Sequence, residues 1–236
     1  ADIEIPDCIS ENITLSTMHG CPPDEIEKIG HYLLKEKKLH TLIKLNPTLL
    51  GKDELRDILN NKLQFKNVIP DLAFEHDLKY EDAIGIIQRL QHTADEEKLF
   101  FGVKLTNTLE SNNHKNVFPA HEQMMYMSGR ALHPISVSVA RKLQNEFNGK
   151  LNISFSGGAD CFNINDLIDS GLKPVTVCSD ILKPGGYGRL HQYIETLSKK
   201  TQDTNQTTLE KLNSYADVVV FNDDYKRDPF VTKSIK

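Results

Sequence analysis

Two lysines stand at the ends of two separate apolar runs. Lys44 follows the run TLI, and Lys104 follows LFFGV. Each is succeeded by a leucine and a small polar cluster, in KLNPTLLG and KLTNTLES. An ammonium group there could neutralise an anionic ligand, and a desolvated lysine could attack a carbonyl. If both runs are parallel strands, both lysines reach the same edge and could address one ligand. The alternative is that both only reach solvent.

The stretch STMHGC, residues 16–21, places nucleophilic and titratable side chains just before a predicted helix. Cys21 lies near the expected helix N-terminus, where the helix dipole lowers a thiol pKa and favours the thiolate. His19 is two residues away and could serve as its proton partner. The alternative is a buried, inert Cys21 and a His19 that caps the loop.

Two consecutive glycine-bearing junctions suggest an anion site. SFSGGAD (154–160) and CSDILKPGGYGRL (178–190) each follow an apolar run and lead into a helical segment. Exposed backbone N–H groups and a helix N-terminus favour a phosphate, and in barrels the phosphate loops follow the last two strands. A plain turn is the alternative for each junction.

Two further polar pairs could contact a ligand. Asn107 and Thr108 follow the second lysine run, and the asparagine amide could read an amide or uracil-like edge. Ser128 and Gly129, in MSGRALHP, permit a close backbone approach before a helix. Turn formation is the alternative in both places.

The elements that must position these residues alternate along the chain. Apolar runs predict strands at 12–18, 41–46, 99–106, 151–155 and 174–179, with a short proline-containing strand within 67–76 and a polar loop at 107–123. Helical periodicity predicts helices between them. Such alternation predicts a parallel sheet covered by helices, as either a doubly wound sheet or a (β/α)8 barrel.

Composition excludes several classes. A net charge of −5 and a pI near 6.0 give no general attraction to nucleic acid or an anionic membrane. No apolar run approaches the roughly 20 residues of a membrane span, and no signal peptide is visible. The four cysteines form no CxxC pair, so neither a metal site within the chain nor a disulfide framework is expected. We therefore expect a cytoplasmic protein with reduced thiols.

The motifs together resemble a known family. VKLTNTLES, MSGRALHPISVSVARKL and LNISFSGGADCFNINDLIDSGLKPVTVCSDIL follow the order found in the FMN barrel of dihydropyrimidine and dihydroorotate dehydrogenases. STMHGCPPDEIE, KLNPTLLG, GVKLTNTL, MSGRAL and LKPGGY are more closely similar to selenate reductase-type iron–sulfur flavoprotein oxidoreductase subunits. The resemblance runs from about residue 12 to 199. It implies an α/β fold, the C-terminal part of a (β/α)8 TIM barrel of the FMN-linked oxidoreductase type.

The resemblance also implies residue roles. Lys44 would contact the flavin ring, whereas Lys104 falls where the dehydrogenases carry a small residue and receives no FMN role. Thr14 and Thr17 stand where those enzymes carry a substrate-binding asparagine and the acid/base cysteine. Cys21, with His19, could then take over proton delivery. The remaining implied contacts are Asn107 and Thr108 beside the substrate, Ser128 and Gly129 near the flavin, Gly157 and Gly158 in the first phosphate loop, and Cys178 and Ser179 in the second.

The chain lacks a starting methionine and, by the resemblance, begins near strand four of a barrel. We expect a fragment with a partial barrel over 1–200 and a helical connector over 201–236, leading to an iron–sulfur domain outside the chain. FAD, NADPH and 4Fe-4S clusters would belong to such absent domains. The fragment alone is expected to bind FMN poorly and to be inactive, and its open sheet edges could support a homodimer.

Three functions stay open. The first is the FMN barrel of an NADPH/FAD/iron–sulfur oxidoreductase that reduces a small substrate, a planar N-heterocycle rather than selenate. The second is a phosphate-binding lyase or aldolase that uses Lys44 or Lys104 as a Schiff base. The third is a non-catalytic scaffold that docks other domains or subunits of a redox complex.

Overall fold

The computed structural model describes residues 3, 5, 7–17, 19–199 and 205–225. Helix α1 (Pro23–His31) continues as a π-helical turn over Tyr32–Glu36, and helix α2 (Lys52–Arg56) continues likewise over Asp57–Lys62. In chain order, the elements are β1 (Asn12–Ser16), α1 (Pro23–His31), β2 (His40–Leu45), α2 (Lys52–Arg56), α3 (Asp71–His76), α4 (Tyr80–Glu97), β3 (Phe101–Leu105), β4 (Leu109–Asn112), β5 (Met124–Met127), α5 (His133–Glu146), β6 (Ile153–Phe155), α6 (Ile164–Asp169), α7 (Leu190–Ser198) and α8 (Thr208–Val219).

The main sheet is parallel and its strands follow one another in sequence order, β1-β2-β3-β6. Phe155 also forms a parallel bridge with Val175, which adds a fifth strand position next to β6. A doubly wound sheet would reverse its strand order at a switch point, and no reversal occurs in the described residues. The sequential order and the covering helices are those of a TIM barrel, as predicted.

The two faces of this sheet differ in chemistry. Ile43 pairs with Val103, and Leu45 pairs with Leu105, on the face buried by the helices. Alternate residues point to the other face, because successive side chains of a strand project to opposite sides. There Lys44 is the direct register partner of Lys104. The strand pattern therefore places both lysines on the same interior face.

The helices bury their periodic apolar residues against the sheet. Ile87 and Leu90 of α4 are fully buried, as the helical spacing predicts, whereas Ile84, predicted for the same face, is only partly buried. Each such burial contributes about 1.5–3 kcal/mol. Helix α8 packs on α5 and α6 and supplies Leu212 and Ala216 to the same core. The predicted boundary at residue 200 lies outside the described residues.

Three local predictions are wrong. Residues 71–76 form helix α3 rather than part of a short strand, because Pro70 can precede a helix but cannot donate within a sheet. The segment predicted as a polar loop contains β4 and, with β5, forms an antiparallel hairpin. The strand predicted at 174–179 is reduced to the bridge at Val175.

Among the described residues, no helix combines the length and apolarity needed to cross a membrane.

Candidate functional site

A cavity of about 1050 Å³ opens at the carboxyl ends of the parallel strands. Lys44 and Lys104 line it from β2 and β3, and Ser156 lines it from the residue after β6. This is the edge of the sheet at which TIM-barrel enzymes carry their ligand-binding loops. The cavity is therefore the candidate site.

The two lysines form a desolvated cationic pair. Burial lowers the pKa of both ammonium groups, and the charge of Lys44 lowers the pKa of Lys104 further. Cys178 acts in the opposite direction on Lys44. Within the described part of the chain, neither ammonium group has a hydrogen bond or an ion pair to a carboxylate. An anionic ligand between them would relieve their mutual repulsion.

Three stretches predicted as ligand loops meet beside this pair. Gly129 and Gly158 both have positive φ, at 66° and 67°. A Cβ on Gly158 would collide with the backbone carbonyl of Gly129. A Cβ on Gly129 would lie 3.0 Å from Ser179. The backbone of Gly158 thus packs directly on that of Gly129, and Gly129 packs on the Ser179 side chain, a closeness that only glycine permits here.

Gly157 packs in the other direction, against helix α5. A Cβ at this position would collide with the hydroxyl of Ser136, which is itself hydrogen-bonded to Thr106 at 2.8 Å. The backbone oxygen of Gly157 accepts a hydrogen bond from His133 at 2.6 Å. The first glycine loop is therefore held by helix α5 through Gly157 as well as by the Gly129 segment through Gly158.

Buried ion pairs hold the same loops in place. Arg130 pairs with Asp160 at the end of the first glycine loop. Asp180, in the second loop, accepts hydrogen bonds from Arg189 at 3.0 Å and from Tyr193 at 2.8 Å. Burial raises the pKa of Asp180, but these donors outweigh it and hold that pKa below its usual value. Tyr193 also donates to the Ala159 carbonyl at 3.1 Å, which joins the two loops.

The charge of the cavity is opposite to that of the whole chain. Its acidic lining residues, Asp160 and Asp180, are both paired with arginines. The chain as a whole carries a net charge of −5. A cavity that concentrates cations in an acidic protein favours anionic ligands. The basic lining residues are Lys44, Lys66, Lys104, Lys115, Arg130 and Lys183.

The predicted substrate pair is also held at the strand ends. Asn107 donates to Asn46 at 2.7 Å and accepts from Ser16 at 3.3 Å, which fixes its amide across β1, β2 and β3. Thr108 lines the cavity directly. The contacts of Asn107 with Ser16 and Asn46 could not be predicted from local patterns, because they join residues 91 and 61 positions apart.

His19 is held by a carboxylate that the sequence analysis missed. Its Nδ1 lies 3.0 Å from Asp77, which is only 3% exposed. That hydrogen bond raises the pKa of His19, although partial burial opposes it. The ring stacks on Tyr126 of β5 at 5.8 Å, and Tyr126 lines the cavity. His19 therefore lies next to the cavity wall.

Cys21 and Thr17 fit the expectation less well. Burial and the nearby Glu25 raise the pKa of the Cys21 thiol, the reverse of the expected helix-dipole effect. Its Sγ lies 4.0 Å from the Glu25 carboxylate. Thr17 is half-buried at the end of β1, and neither residue lines the cavity. Burial and the Glu25 carboxylate both favour the protonated thiol, so a reactive thiolate is disfavoured.

The hairpin β4–β5 forms one wall of the cavity. Ser111, Met125 and Tyr126 all face it. The connecting loop is shaped by Asn113, which donates to the Phe118 and Glu122 carbonyls at 2.9 Å each. Prediction from polarity missed this wall, because one buried asparagine supplies the hydrogen bonds that organise a polar loop.

Comparisons with known proteins agree with this architecture. A family model described as "Oxidoreductase YgfK, N-terminal TIM-barrel domain" matches residues 2–227. The chain is 47% identical over 214 residues to "Putative oxidoreductase YgfK" of Escherichia coli strain K12, and equally to that of E. coli O157:H7. The alignment covers 90% of this chain but 20% of each relative, so the chain spans about a fifth of their length. The chain belongs to the family of YgfK oxidoreductase N-terminal TIM-barrel domains.

Proposed function

We propose that this chain is the FMN-binding barrel of a multidomain cytoplasmic oxidoreductase. Electrons from NADPH would reach it through FAD and 4Fe-4S clusters in other domains and reduce a small planar N-heterocycle. The observation that carries the proposal is the contact of Gly129 with Gly158 and Ser179 beside the lysine pair. The related dehydrogenase and selenate reductase-type flavoproteins suggest the redox partners, and the heterocycle is preferred to selenate as substrate.

The residues present fit a phosphorylated flavin. These two glycine-bearing junctions contribute Gly158, Cys178 and Ser179 to the cavity lining, where backbone N–H groups could bind a phosphate. Lys44 supplies a cation that could stabilise negative charge on a ring. Bound there, FMN would supply hydride transfer. Ser128 and Gly129 would limit how the ring lies.

The chain's own residues orient the second reactant. Thr108 adds a hydroxyl on the cavity lining, and Asn107, which does not itself line the cavity, holds an amide fixed by Ser16 and Asn46 next to it. Such paired donors and acceptors match the edge of a heterocyclic amide. The hairpin wall with Tyr126 would exclude water from the reacting face. His19, Cys21 and Thr17 are the candidates for proton delivery.

The test is an FMN titration of the full-length protein, followed by flavin fluorescence quenching. We expect saturable binding that Gly158→Asp abolishes, because the new side chain must displace the Gly129 backbone. Gly85→Asp is the matched control, since a Cβ there meets only the flexible end of Arg89. Lys44→Gln, which leaves the loops intact, is expected to weaken binding about tenfold. Absence of FMN binding in the wild type would contradict the proposal.

A second candidate function is favoured by one observation. Adjacent lysines with lowered pKa values suit Schiff-base chemistry, because a cationic neighbour keeps an amine neutral and nucleophilic. Borohydride treatment with glyceraldehyde 3-phosphate, followed by mass spectrometry, tests it. A stable adduct on Lys44 or Lys104 would favour the lyase or aldolase. We expect none.

For the oxidoreductase, we propose that the binding partners of this chain are a small-molecule substrate and the other domains or subunits of a redox complex. β1 forms one edge of the main sheet, and among the described residues its outer side has no strand partner. In a closed barrel, a further strand would cover that edge. Were it left uncovered, a second copy could pair there and give a homodimer.

A further inference from the structure

A buried carboxylate links two loops beneath His19. Asp77 follows helix α3, and one of its oxygens lies 3.0 Å from His19 Nδ1. The other oxygen accepts a 2.7 Å hydrogen bond from the hydroxyl of Thr48. Thr48 lies in the 3₁₀ turn Pro47–Leu50, directly after β2, and is itself buried. Both carboxylate oxygens are therefore engaged in fixed directions.

This arrangement sets the state of the imidazole. A carboxylate at Nδ1 keeps a proton on that nitrogen and leaves Nε2 as the nitrogen that can exchange one. Within the described residues, Nε2 has no hydrogen-bond partner. The ring is stacked on Tyr126, with 29° between the planes, which aligns it with the hairpin wall of the cavity. His19 thus lies between a buried anchor and the candidate site.

We propose that His19 is the proton donor of this site and that Asp77 and Thr48 are its positioning residues. The proposal rests on the proposed function and deepens it, because a heterocycle that accepts a hydride must also gain a proton. The proton moves from Nε2 to a ring nitrogen or carbon of the substrate. The imidazole becomes neutral, and Nδ1–H still donates to Asp77. Solvent then restores the lost proton, since the His19 side chain is 26% exposed.

The neighbouring candidates are less suited to this step. The pKa of Cys21 is raised by burial and by Glu25, so the thiol is a poor acid near neutral pH. A threonine hydroxyl such as that of Thr17 does not ionise in this range. His19 is flanked by Asp77 and by Glu110 of the hairpin, and both carboxylates raise its pKa. The protonated form is thereby available at neutral pH.

The first test needs neither substrate nor cofactor. Nitrogen-15 histidine NMR of the chain should show His19 with a pKa above its ordinary value and a proton on Nδ1. Asp77→Asn should shift that pKa downward by about one unit or more. Thr48→Val should shift it in the same direction by less, and Glu110→Gln should have a small effect. An ordinary pKa in the wild type, or one that Asp77→Asn leaves in place, would overturn the positioning role.

The second test separates this proposal from the proposed function. NADPH-dependent reduction of ferricyanide by the full-length wild-type protein reports electron delivery alone. NADPH consumption with uracil, xanthine and urate as probes reports the complete reaction. We expect His19→Gln to lower probe turnover about 100-fold or more. Asp77→Asn should move the basic limb of the pH profile to lower pH, because His19 loses its proton earlier.

The control is His92→Gln, an exposed histidine on α4 that pairs with Glu96. It should leave probe turnover and its pH profile unchanged. Full turnover in His19→Gln, with loss in Cys21→Ser, would overturn the proposal. If the full-length wild type does not reduce ferricyanide, the proposed function fails. If it reduces ferricyanide but none of the three probes, the NMR titration alone decides whether His19 has the proposed role.

Discussion

Lys44 and Lys104 are direct register partners on the adjacent parallel strands β2 and β3. Their Cα atoms face each other across one ladder, so both side chains project from the same face into the cavity. Spacing in the sequence could not distinguish this from two lysines in solvent. The parallel register distinguishes the two cases, because it places the two lysines side by side as one cationic pair. Such a pair favours an anionic ligand at this edge of the sheet.

The pair should titrate as coupled groups. Lys44→Gln removes a neighbouring positive charge, so the pKa of Lys104 should rise towards its usual value while remaining lowered by burial. Carbon-13 NMR of reductively methylated lysines would measure it. Lys28→Gln, on the exposed surface of α1, is the control and should leave the pKa of Lys104 unchanged. Lack of a response to Lys44→Gln would mean that the two ammonium groups do not interact.

His133 should make the fold acid-sensitive. It is fully buried between the Gly157 carbonyl and the Tyr215 hydroxyl, and desolvation lowers its pKa to about 3. Above pH 6.5 both states are neutral at this residue. As the pH falls towards 3, only the unfolded chain takes up the proton, so stability is lost by about 1.4 kcal/mol per pH unit.

Urea denaturation across this pH range would measure that loss. His133→Gln keeps a hydrogen-bonding side chain but does not titrate. The free energy of unfolding of this variant should therefore depend less steeply on pH, because unfolding takes up one proton fewer. The exposed control His92→Gln should retain the wild-type slope. Equal slopes in His133→Gln and the wild type would show that His133 does not control the acid response.

Asp180 should stabilise the second glycine loop. Asp180→Asn keeps the shape but removes the charge that pairs with Arg189 and Lys183. We expect the free energy of unfolding to fall by about 1–3 kcal/mol and FMN affinity to fall with it. Urea denaturation and flavin titration would measure the two effects. Asp24→Asn, at an exposed pair with Lys28, should change neither.

Asn113 should hold the hairpin wall closed. Its amide donates to two carbonyls, and its oxygen accepts from Val117 N at 2.8 Å. Asn113→Ala should accelerate hydrogen exchange at the amides of Val117 and Phe118, roughly tenfold for each 1.4 kcal/mol lost. Exchange in α4 should not change. Unaltered exchange at Val117 would show that the loop is held by other contacts.

The parallel sheet and its helices were predictable because burial imposes a period on the sequence. The apolar runs at β2 and β3 and the spacing of Ile87 and Leu90 show that period directly. Gly129 and Gly158 were predictable as positions of close backbone approach, because such an approach excludes side chains. Their mutual contact was not, since it joins segments that the sequence separates.

The missed features all depend on tertiary contacts. In the sequence, Asp77 cannot be distinguished from the many acidic residues of the surface, because its burial against His19 and Thr48 arises only in the fold. The hairpin reads as a polar loop because Asn113 replaces apolar packing with hydrogen bonds. Cys21 was expected to be activated by a helix N-terminus, but Glu25 and burial oppose ionisation. Burial and a neighbouring carboxylate, rather than the position at a helix N-terminus, set the direction of that pKa.

The central claim is that the glycine loops bind the phosphate of FMN, and a comparison of two flavins tests it most directly. The dissociation constants of FMN and riboflavin, which lacks the phosphate, would be measured for the full-length protein by fluorescence quenching. The account predicts that FMN binds at least about tenfold more tightly, through charge-assisted hydrogen bonds, and that Gly158→Asp removes this preference whereas Gly85→Asp keeps it. Equal affinity for the two flavins in the wild type would contradict the account.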